Sequence, residues 1–146
     1  MNAEDWFSKG EYHLIDGHKL FVIDTDKDGQ NLKQIKKPTL CILHGFPTST
    51  YDYWKVLDRL AETYRVVLHD HLGFGFSDKP KSYSYSLIEQ TDIAIRVWQQ
   101  LGIEKATILA HDYGTSILTE LLARDNQGFC SITIEEIILC NGSMHI

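Results

Sequence analysis

The chain contains one short segment whose residue types and spacing could carry out nucleophilic chemistry. In Ala110-His-Asp-Tyr-Gly114, an aspartate stands between two small residues, after an apolar run of strand length and before a helical pattern. A turn from strand to helix within so few residues forces a strained backbone on Asp112 and leaves room only for small neighbours. The Asp112 side chain would then lie at a helix N-terminus, beyond the carboxyl end of a sheet. Ligand sites of open α/β sheets lie there, and the helix dipole keeps a carboxylate ionised.

The bend around Asp112 has the form of the G-x-S-x-G nucleophile elbow, with aspartate in place of serine. His44-Gly-Phe-Pro47 follows another apolar run and stands where hydrolases with such an elbow supply a backbone amide to an anion-binding hole. A second amide would come from Tyr113, the residue after the elbow aspartate. A glycine-rich segment, residues 70–80, follows a third apolar run. The alternative for Asp112 is a helix-capping aspartate, which is common before any helix.

The elements that position these segments alternate β-rich runs with amphipathic stretches, which is typical of βαβ units on a mostly parallel sheet. The chain opens with a predicted hairpin around Asp16-Gly17. The predicted strands are residues 11–15, 19–23, 39–43, 65–68, 106–109 and 134–140, and the predicted helices are residues 50–64, 86–101 and 116–124. We therefore expect an α/β fold in one domain over residues 1–146, with a mostly parallel sheet, an antiparallel N-terminal hairpin and flanking helices.

A capping box marks the start of the second predicted helix. The Ser86 oxygen can accept the amide hydrogen of Glu89, and the glutamate can reach back to the Ser86 amide. Gly102 supplies the left-handed residue that ends this helix.

Composition and charge exclude several classes of protein. The chain has 146 residues, 43% hydrophobic and 23% charged, which excludes collagen-like, low-complexity and wholly disordered chains. A formal charge of −6 argues against sequence-independent binding of nucleic acid. No apolar run reaches about eighteen residues, so no membrane span is expected. Cys41, Cys130 and Cys140 form an odd set without metal-ligand spacing, and the N-terminus lacks a signal-peptide pattern. We expect a cytoplasmic protein with no metal.

Three motifs together resemble those of a known family. HGFPTSTYDYW, DHLGFGFSDKP and AHDYG, in this order, are similar to the N-terminal half of the α/β-hydrolase superfamily, in the branch of haloalkane dehalogenases and epoxide hydrolases. The resemblance extends from about Tyr12 to the end of the chain. It implies Asp112 as the catalytic nucleophile, with the amides of Phe46 and Tyr113 as donors to an oxyanion or leaving group. It implies a small-molecule substrate and no cofactor.

An aspartate nucleophile suits displacement at saturated carbon. Because a carboxylate is charged at neutral pH, Asp112 needs no base to activate it and would form an ester, which histidine-activated water then cleaves. Serine is the usual residue for acyl transfer, so aspartate argues against an ordinary esterase or lipase. The expected substrate is a small apolar haloalkane or epoxide.

The resemblance leaves the choice between halide and epoxide open. Haloalkane dehalogenases usually carry asparagine where this chain has Phe46 and tryptophan where it has Tyr113, and those side chains donate to the halide. The Tyr113 hydroxyl is a candidate substitute. The HGFP motif is more similar to epoxide hydrolases and fluoroacetate dehalogenases, and epoxide opening in that family draws its acid tyrosines from a cap domain.

The family fold implies about twice as many residues as this chain has. A cap, a second acid and the base histidine lie beyond the last predicted strand in family order, and His145 has no strand to fix it. Residues 134–140 have the composition of a strand buried on both faces, yet they would form a sheet edge, which predicts self-association. We therefore expect a fragment. The alternative to the hydrolase is a catalytically incomplete or non-catalytic interaction protein on the same scaffold.

The other histidines are given structural roles. We expect His44 and His111 to brace loops by hydrogen bonding, and neither to be the general base. His69 and His71 are interpreted as loop histidines, without a bound metal.

The glycine-rich loop does not predict dinucleotide binding. Gly73-Phe-Gly75 supplies two of the three glycines of that fingerprint, with Asp78 at the third place. Asp70, at the start of the loop, would repel phosphate.

Overall fold

The computed structural model describes residues 1–27 and 36–142. Within them, six strands form one sheet in the order β1-β2-β4-β3-β5-β6. The strands are β1 (Glu11–Ile15), β2 (His18–Asp24), β3 (Thr39–Leu43), β4 (Arg65–His69), β5 (Lys105–His111) and β6 (Thr133–Cys140). The helices are α1 (Ala3–Phe7), α2 (Leu57–Thr63), α3 (Leu87–Gln100) and α4 (Tyr113–Asn126), with a 3₁₀ helix at Thr50–Tyr53.

The sheet combines an antiparallel beginning with a parallel remainder. β1 and β2 form the expected hairpin, and the turn residues Asp16 and Gly17 have φ values of 50° and 81°, as a tight two-residue hairpin turn requires. β2 also pairs antiparallel with β4, whereas β3 pairs parallel with both β4 and β5, and β5 with β6. The predicted α/β fold with a mostly parallel sheet is confirmed. The carboxyl ends of β3, β4 and β5 therefore lie side by side at one end of the sheet.

The core lies on both faces of the sheet, which explains the continuous apolar runs. In β3, Leu40 and Ile42 pack into the cluster beneath α2, while Cys41 and Leu43 pack into the cluster beneath α3 and α4. Because successive side chains of a strand point to opposite faces, a strand covered on both sides needs apolar residues throughout. Cys41 is one of three unbridged cysteines, with Cys130 and Cys140.

The helix predicted over residues 50–64 is interrupted, and this prediction was wrong in its extent. A 3₁₀ turn at Thr50–Tyr53 precedes α2, which begins only at Leu57. The amide of Thr50 donates to the Asp70 carboxylate at 2.8 Å, and the Ser49 hydroxyl accepts from the Tyr51 amide. These bonds hold the first turn in a tighter geometry than an α-helix.

The bounds of α3 and α4 also refine the sequence predictions. The Glu89 amide donates to Ser86 Oγ at 3.2 Å, and Gly102 has a φ of 68°, both as predicted. The reciprocal bond differs, because the Ser86 hydroxyl donates to Glu89 Oε2 at 3.0 Å and the Ser86 amide donates to Ser84 instead. Helix α4 begins at Tyr113, three residues earlier than predicted.

Strand β6 is an apolar sheet edge in the part of the chain that the structure describes. Ile137, Ile138 and Leu139 are 40%, 43% and 44% exposed, so the strand is not covered on both faces as its composition indicates. Association through this edge stays a prediction. His145 and most of the loop between β2 and β3 lie outside the described residues. None of the helices in residues 1–27 and 36–142 is both long and apolar enough to span a bilayer.

Candidate active site

The site is built on a bend of a single residue between β5 and α4. Asp112 has φ 49° and ψ −113°, as the short strand-to-helix turn predicts, and a conformation of this kind costs about 1–3 kcal/mol in a residue other than glycine. The bend is held on both sides. The Asp112 amide donates to Cys140 O at 3.0 Å, and the Asp112 carbonyl accepts from the Thr115 amide at 3.0 Å. Edge strand β6 therefore supports the backbone of the site.

Small residues surround the bend because larger ones have no room. A Cβ at Gly114 would collide with the carbonyl oxygen of Leu43, and Ala110 is completely buried. The sequence predicted both requirements. It missed a third, since a Cβ at Gly45 would lie 2.9 Å from the Asp112 Cβ. The glycine of the HGFP motif was the available signal.

Two backbone amides act on the Asp112 carboxylate. The Phe46 amide donates to Asp112 Oδ1 at 2.7 Å. This bond, followed by the influence of the adjacent Tyr113 amide, holds the pKa of Asp112 below its ordinary value, with a smaller effect of His111 in the same direction and partial burial acting against it. The carboxylate is thus ionised at neutral pH. The structure brings Asp112, Phe46 and Tyr113 together, and their roles in a reaction stay a prediction.

The loop that carries Phe46 is braced by a buried histidine. His44 follows β3 directly and is fully buried. Its Nδ1 lies 2.8 Å from Gly45 O, and its Nε2 accepts the His71 amide hydrogen at 3.0 Å. His44 thus makes polar contacts on both sides of its ring, as the sequence predicted. His111 is partly exposed and lies beside Gly45, close enough to affect the pKa of Asp112.

The interpretation of His71 as a loop histidine is confirmed, whereas that of His69 was wrong. His69 is the last residue of β4, and both side chains are buried. With His44 they form a stack, the His44–His71 ring centroids being 4.0 Å apart and the His69–His71 centroids 5.2 Å apart. Burial lowers the pKa of all three imidazoles, that of His69 to about 3, so the stack is neutral at pH 7.

Phe46 and Tyr113, the residues whose amides flank the carboxylate, share an aromatic neighbour in Phe74. The Phe74 ring lies 5.5 Å from Tyr113 and 6.1 Å from Phe46, measured between centroids, and Phe46 is 66% exposed. The sequence carries no signal for Phe74 beyond the position of its glycine-rich loop at a neighbouring strand end. The Tyr113 hydroxyl, a candidate halide donor, lies near Gln90 of α3, whose side chain lowers the Tyr113 pKa that burial raises.

A mostly parallel sheet with a sharp strand-to-helix bend at its carboxyl end, and the Phe46 amide bound to the side chain at that bend, places the chain in the class of α/β proteins. Residues 38–145 match the family model described as alpha/beta hydrolase fold, and the chain belongs to this family. The fold expected from the three sequence motifs is thereby confirmed.

Individual relatives place the chain more closely. It is 36% identical over 144 residues to the mesoderm-specific transcript homolog protein of Bos taurus, covering 95% of this chain and 41% of that protein. It is 30% identical over 139 residues to epoxide hydrolase 1 of Caenorhabditis elegans, covering 94% of this chain and 31% of that protein. A crystal structure of a haloalkane dehalogenase from Bradyrhizobium elkani matches with a TM-score of 0.75 and 25% identity, covering 91% of this chain and 41% of that chain.

These matches confirm the resemblance to the haloalkane dehalogenase and epoxide hydrolase branch. The three motifs also resemble mesoderm-specific transcript proteins, and this resemblance is confirmed as well. The chain spans less than half the length of each of these relatives.

Proposed function

We propose that Asp112 is the nucleophile of a hydrolase that acts on a small apolar substrate at an electrophilic saturated carbon, a haloalkane or an epoxide. The observation that carries this proposal is the Asp112 carboxylate itself. It stands on a strained bend at φ 49°, is partly exposed, and accepts the Phe46 amide hydrogen at 2.7 Å. Backbone strain of this kind is typical of functional positions, where the surrounding structure maintains it.

The first step is displacement. An Asp112 oxygen forms a bond to the substrate carbon while the carbon–halogen bond breaks, and the halide leaves with the electron pair. With an epoxide, the ring carbon–oxygen bond breaks instead, and the oxygen takes a proton from an acid that the family resemblance places in a cap domain. Either substrate leaves an alkyl ester on Asp112.

The second step is hydrolysis of that ester. Histidine-activated water adds to the ester carbonyl carbon, and the amides of Phe46 and Tyr113 stabilise the resulting oxyanion. Collapse releases the alcohol and restores the carboxylate. The family resemblance places the base histidine beyond β6, so residues 1–146 tested by themselves are expected to accumulate the ester.

The test is intact-mass measurement after incubation with 1-bromohexane or styrene oxide. The expected product carries one added hexyl group in place of a hydrogen, or one added epoxide mass. Because alkylating reagents also attack thiols, the adduct is then treated with hydroxylamine, which cleaves an ester and spares a thioether. The adduct is located by peptide mapping.

Two variants decide the outcome. Asp112→Asn is expected to abolish the hydroxylamine-sensitive adduct, whereas Asp125→Asn, which changes an exposed aspartate of α4, leaves it intact. If the folded chain forms no ester, or forms it equally in Asp112→Asn, the proposed nucleophile is wrong and the non-catalytic alternative is favoured.

A further inference from the structure

We propose that His44 is a positioning residue, whose Nδ1–H holds the Gly45–Phe46 peptide so that the Phe46 amide is directed at Asp112. This inference rests on the proposed function only for its catalytic meaning, because the geometry concerns the free protein.

A chain of polar contacts runs from the His44 ring to the Asp112 carboxylate. His44 Nδ1 lies 2.8 Å from Gly45 O, and Phe46 N lies 2.7 Å from Asp112 Oδ1. Gly45 O and Phe46 N are the two polar ends of one planar peptide group. A donor on the oxygen therefore fixes the plane in which the N–H lies and polarises that N–H, since hydrogen bonds in a chain strengthen one another.

The tautomer of His44 follows from its contact at Nε2. The His71 amide donates to His44 Nε2 at 3.0 Å, and an amide N–H has no acceptor function. Nε2 must then be the unprotonated nitrogen, which leaves the hydrogen of the neutral ring on Nδ1. His71 Nε2 also lies 3.0 Å from His44 O, so the backbone on both sides of the ring is tied down.

The charge state of the ring follows from its burial. Burial lowers the pKa of His44 and outweighs the raising effects of the Gly45 hydrogen bond, Asp70 and Asp52, while His111 acts in the same direction as burial. A protonated ring would carry a hydrogen on Nε2, directed at the His71 amide. The contacts seen here require the neutral form.

His69 provides a matched comparison within the same stack. It is as deeply buried as His44, but neither its Nδ1 nor its Nε2 has a hydrogen-bond partner among the described residues. Loss of the His69 ring removes apolar packing without touching the Gly45–Phe46 peptide. Loss of the His44 ring removes similar packing together with the donor.

The test has a part that needs no variant. Long-range ¹H–¹⁵N correlation spectra of the ¹⁵N-labelled chain are expected to show His44 with a protonated Nδ1 and an unprotonated Nε2 between about pH 6 and pH 8. A hydrogen on Nε2, or a charged ring, would overturn the proposal even if every variant failed to fold.

The second part compares His44→Leu, His44→Asn and His69→Leu. In His44→Leu, the Asp112 pKa from carboxyl ¹³C shifts is expected to rise towards 3.8, and hydrogen exchange at Phe46 to accelerate about tenfold relative to β3 amides. Asn carries its amide nitrogen near the position of Nδ1, so it is expected to reverse both changes at least in part. His69→Leu should change neither.

The results separate this inference from the proposed function. If His44→Leu leaves the Asp112 pKa and the Phe46 exchange unchanged, or if His69→Leu changes them equally, His44 is packing alone. If the pKa responds to His44 but Asp112 forms no ester with either reagent, the positioning role stands and the proposed nucleophile fails.

Discussion

Asp70 and Asp112 directly follow β4 and β5 at the same end of the sheet, but the two carboxylates have opposite surroundings. Asp70 is completely buried and accepts three hydrogen bonds, from the amide and hydroxyl of Thr50 at 2.8 Å each and from the Phe76 amide at 2.7 Å. Asp112 is partly exposed, and its carboxylate accepts the Phe46 amide hydrogen at 2.7 Å. The buried Asp70 carboxylate, surrounded by hydrogen-bond donors, stabilises loops. The partly exposed Asp112 carboxylate leaves one side accessible to a substrate.

The backbone conformations show the same contrast. Asp112 has a φ of 49°, a conformation that is uncommon outside glycine, whereas around Asp70 the positive φ values belong to the glycines Gly73 and Gly75. Gly75 approaches the Asp70 carboxylate so closely that a Cβ there would collide with it. At the structural carboxylate, glycines carry the unusual geometry, and at the proposed nucleophile the functional residue carries it.

The largest effects are expected from removing each carboxylate: Asp70→Asn should lose stability, whereas Asp112→Asn should lose ester formation. The side-chain amide introduced by Asp70→Asn would set a donor against the Thr50 or Phe76 donors, and we expect a loss of about 2–3 kcal/mol in the free energy of unfolding. Asp112→Asn should stay within about 0.5 kcal/mol of the wild type, since asparagine tolerates positive φ, while it abolishes ester formation. Urea denaturation and intact mass measure the two properties. Equal losses of stability in the two variants would contradict the assignment of Asp70 as the structural carboxylate.

A smaller effect is expected from the glycines beside each carboxylate. Gly75→Ala combines a collision with Asp70 and a φ of 49°, so we expect it to destabilise the chain by about 2 kcal/mol. Gly45→Ala brings a Cβ to 2.9 Å from both the Asp112 Cβ and His111 Nδ1, a milder overlap than that at Gly75 but one that must displace the bend at Asp112. It should cost less stability but slow ester formation. Thermal unfolding measures the loss of stability, and the rate of adduct growth measures ester formation. If Gly45→Ala formed the ester as fast as the wild type, the prediction would be wrong.

Local sterics explain which features the sequence predicted. The apolar runs of β3 and β4 identify strands covered on both faces, and the small residues Ala110 and Gly114 identify a sharp bend, because both requirements act within a few residues of chain. The position and strain of Asp112 could therefore be predicted before the fold was known.

Contacts between distant segments explain what the sequence did not predict. Asp70 was interpreted as repelling phosphate, but its carboxylate holds Thr50 and so interrupts the helix predicted over residues 50–64. The burial of His69 and His71 likewise depends on the stack with His44 that the pairing of β3 and β4 brings together. Such side chains cannot be assigned from spacing, because their partners are separated by about the length of a helix and a loop.

A further prediction concerns the pH at which ester formation by Asp112 slows. The amides of Phe46 and Tyr113 hold the pKa of Asp112 below 3.8. The rate constant should therefore stay level from about pH 8 to about pH 4 and fall only as the carboxylate is protonated below that range. Since the folded pKa is depressed, the stability that ionised Asp112 contributes is present above 3.8 and is lost as the pH falls through the folded value. A decline that begins above about pH 5 would show that the amides do not act on the reactive carboxylate.

The smallest effect is expected at the aromatic side of Asp112. The Phe74 ring contacts both Phe46 and Tyr113, and its replacement in Phe74→Leu keeps an apolar surface while removing a flat one. Styrene oxide should lose about threefold in the rate of ester formation, because aromatic contacts contribute about 0.5–1.5 kcal/mol beyond their area, whereas 1-bromohexane should change little. The ratio of the two rates is the measurement, and it cancels any general loss of folded protein. An unchanged ratio would mean that the substrate does not contact Phe74. It would then approach the exposed face of Asp112, which has no counterpart at the buried Asp70, from another side.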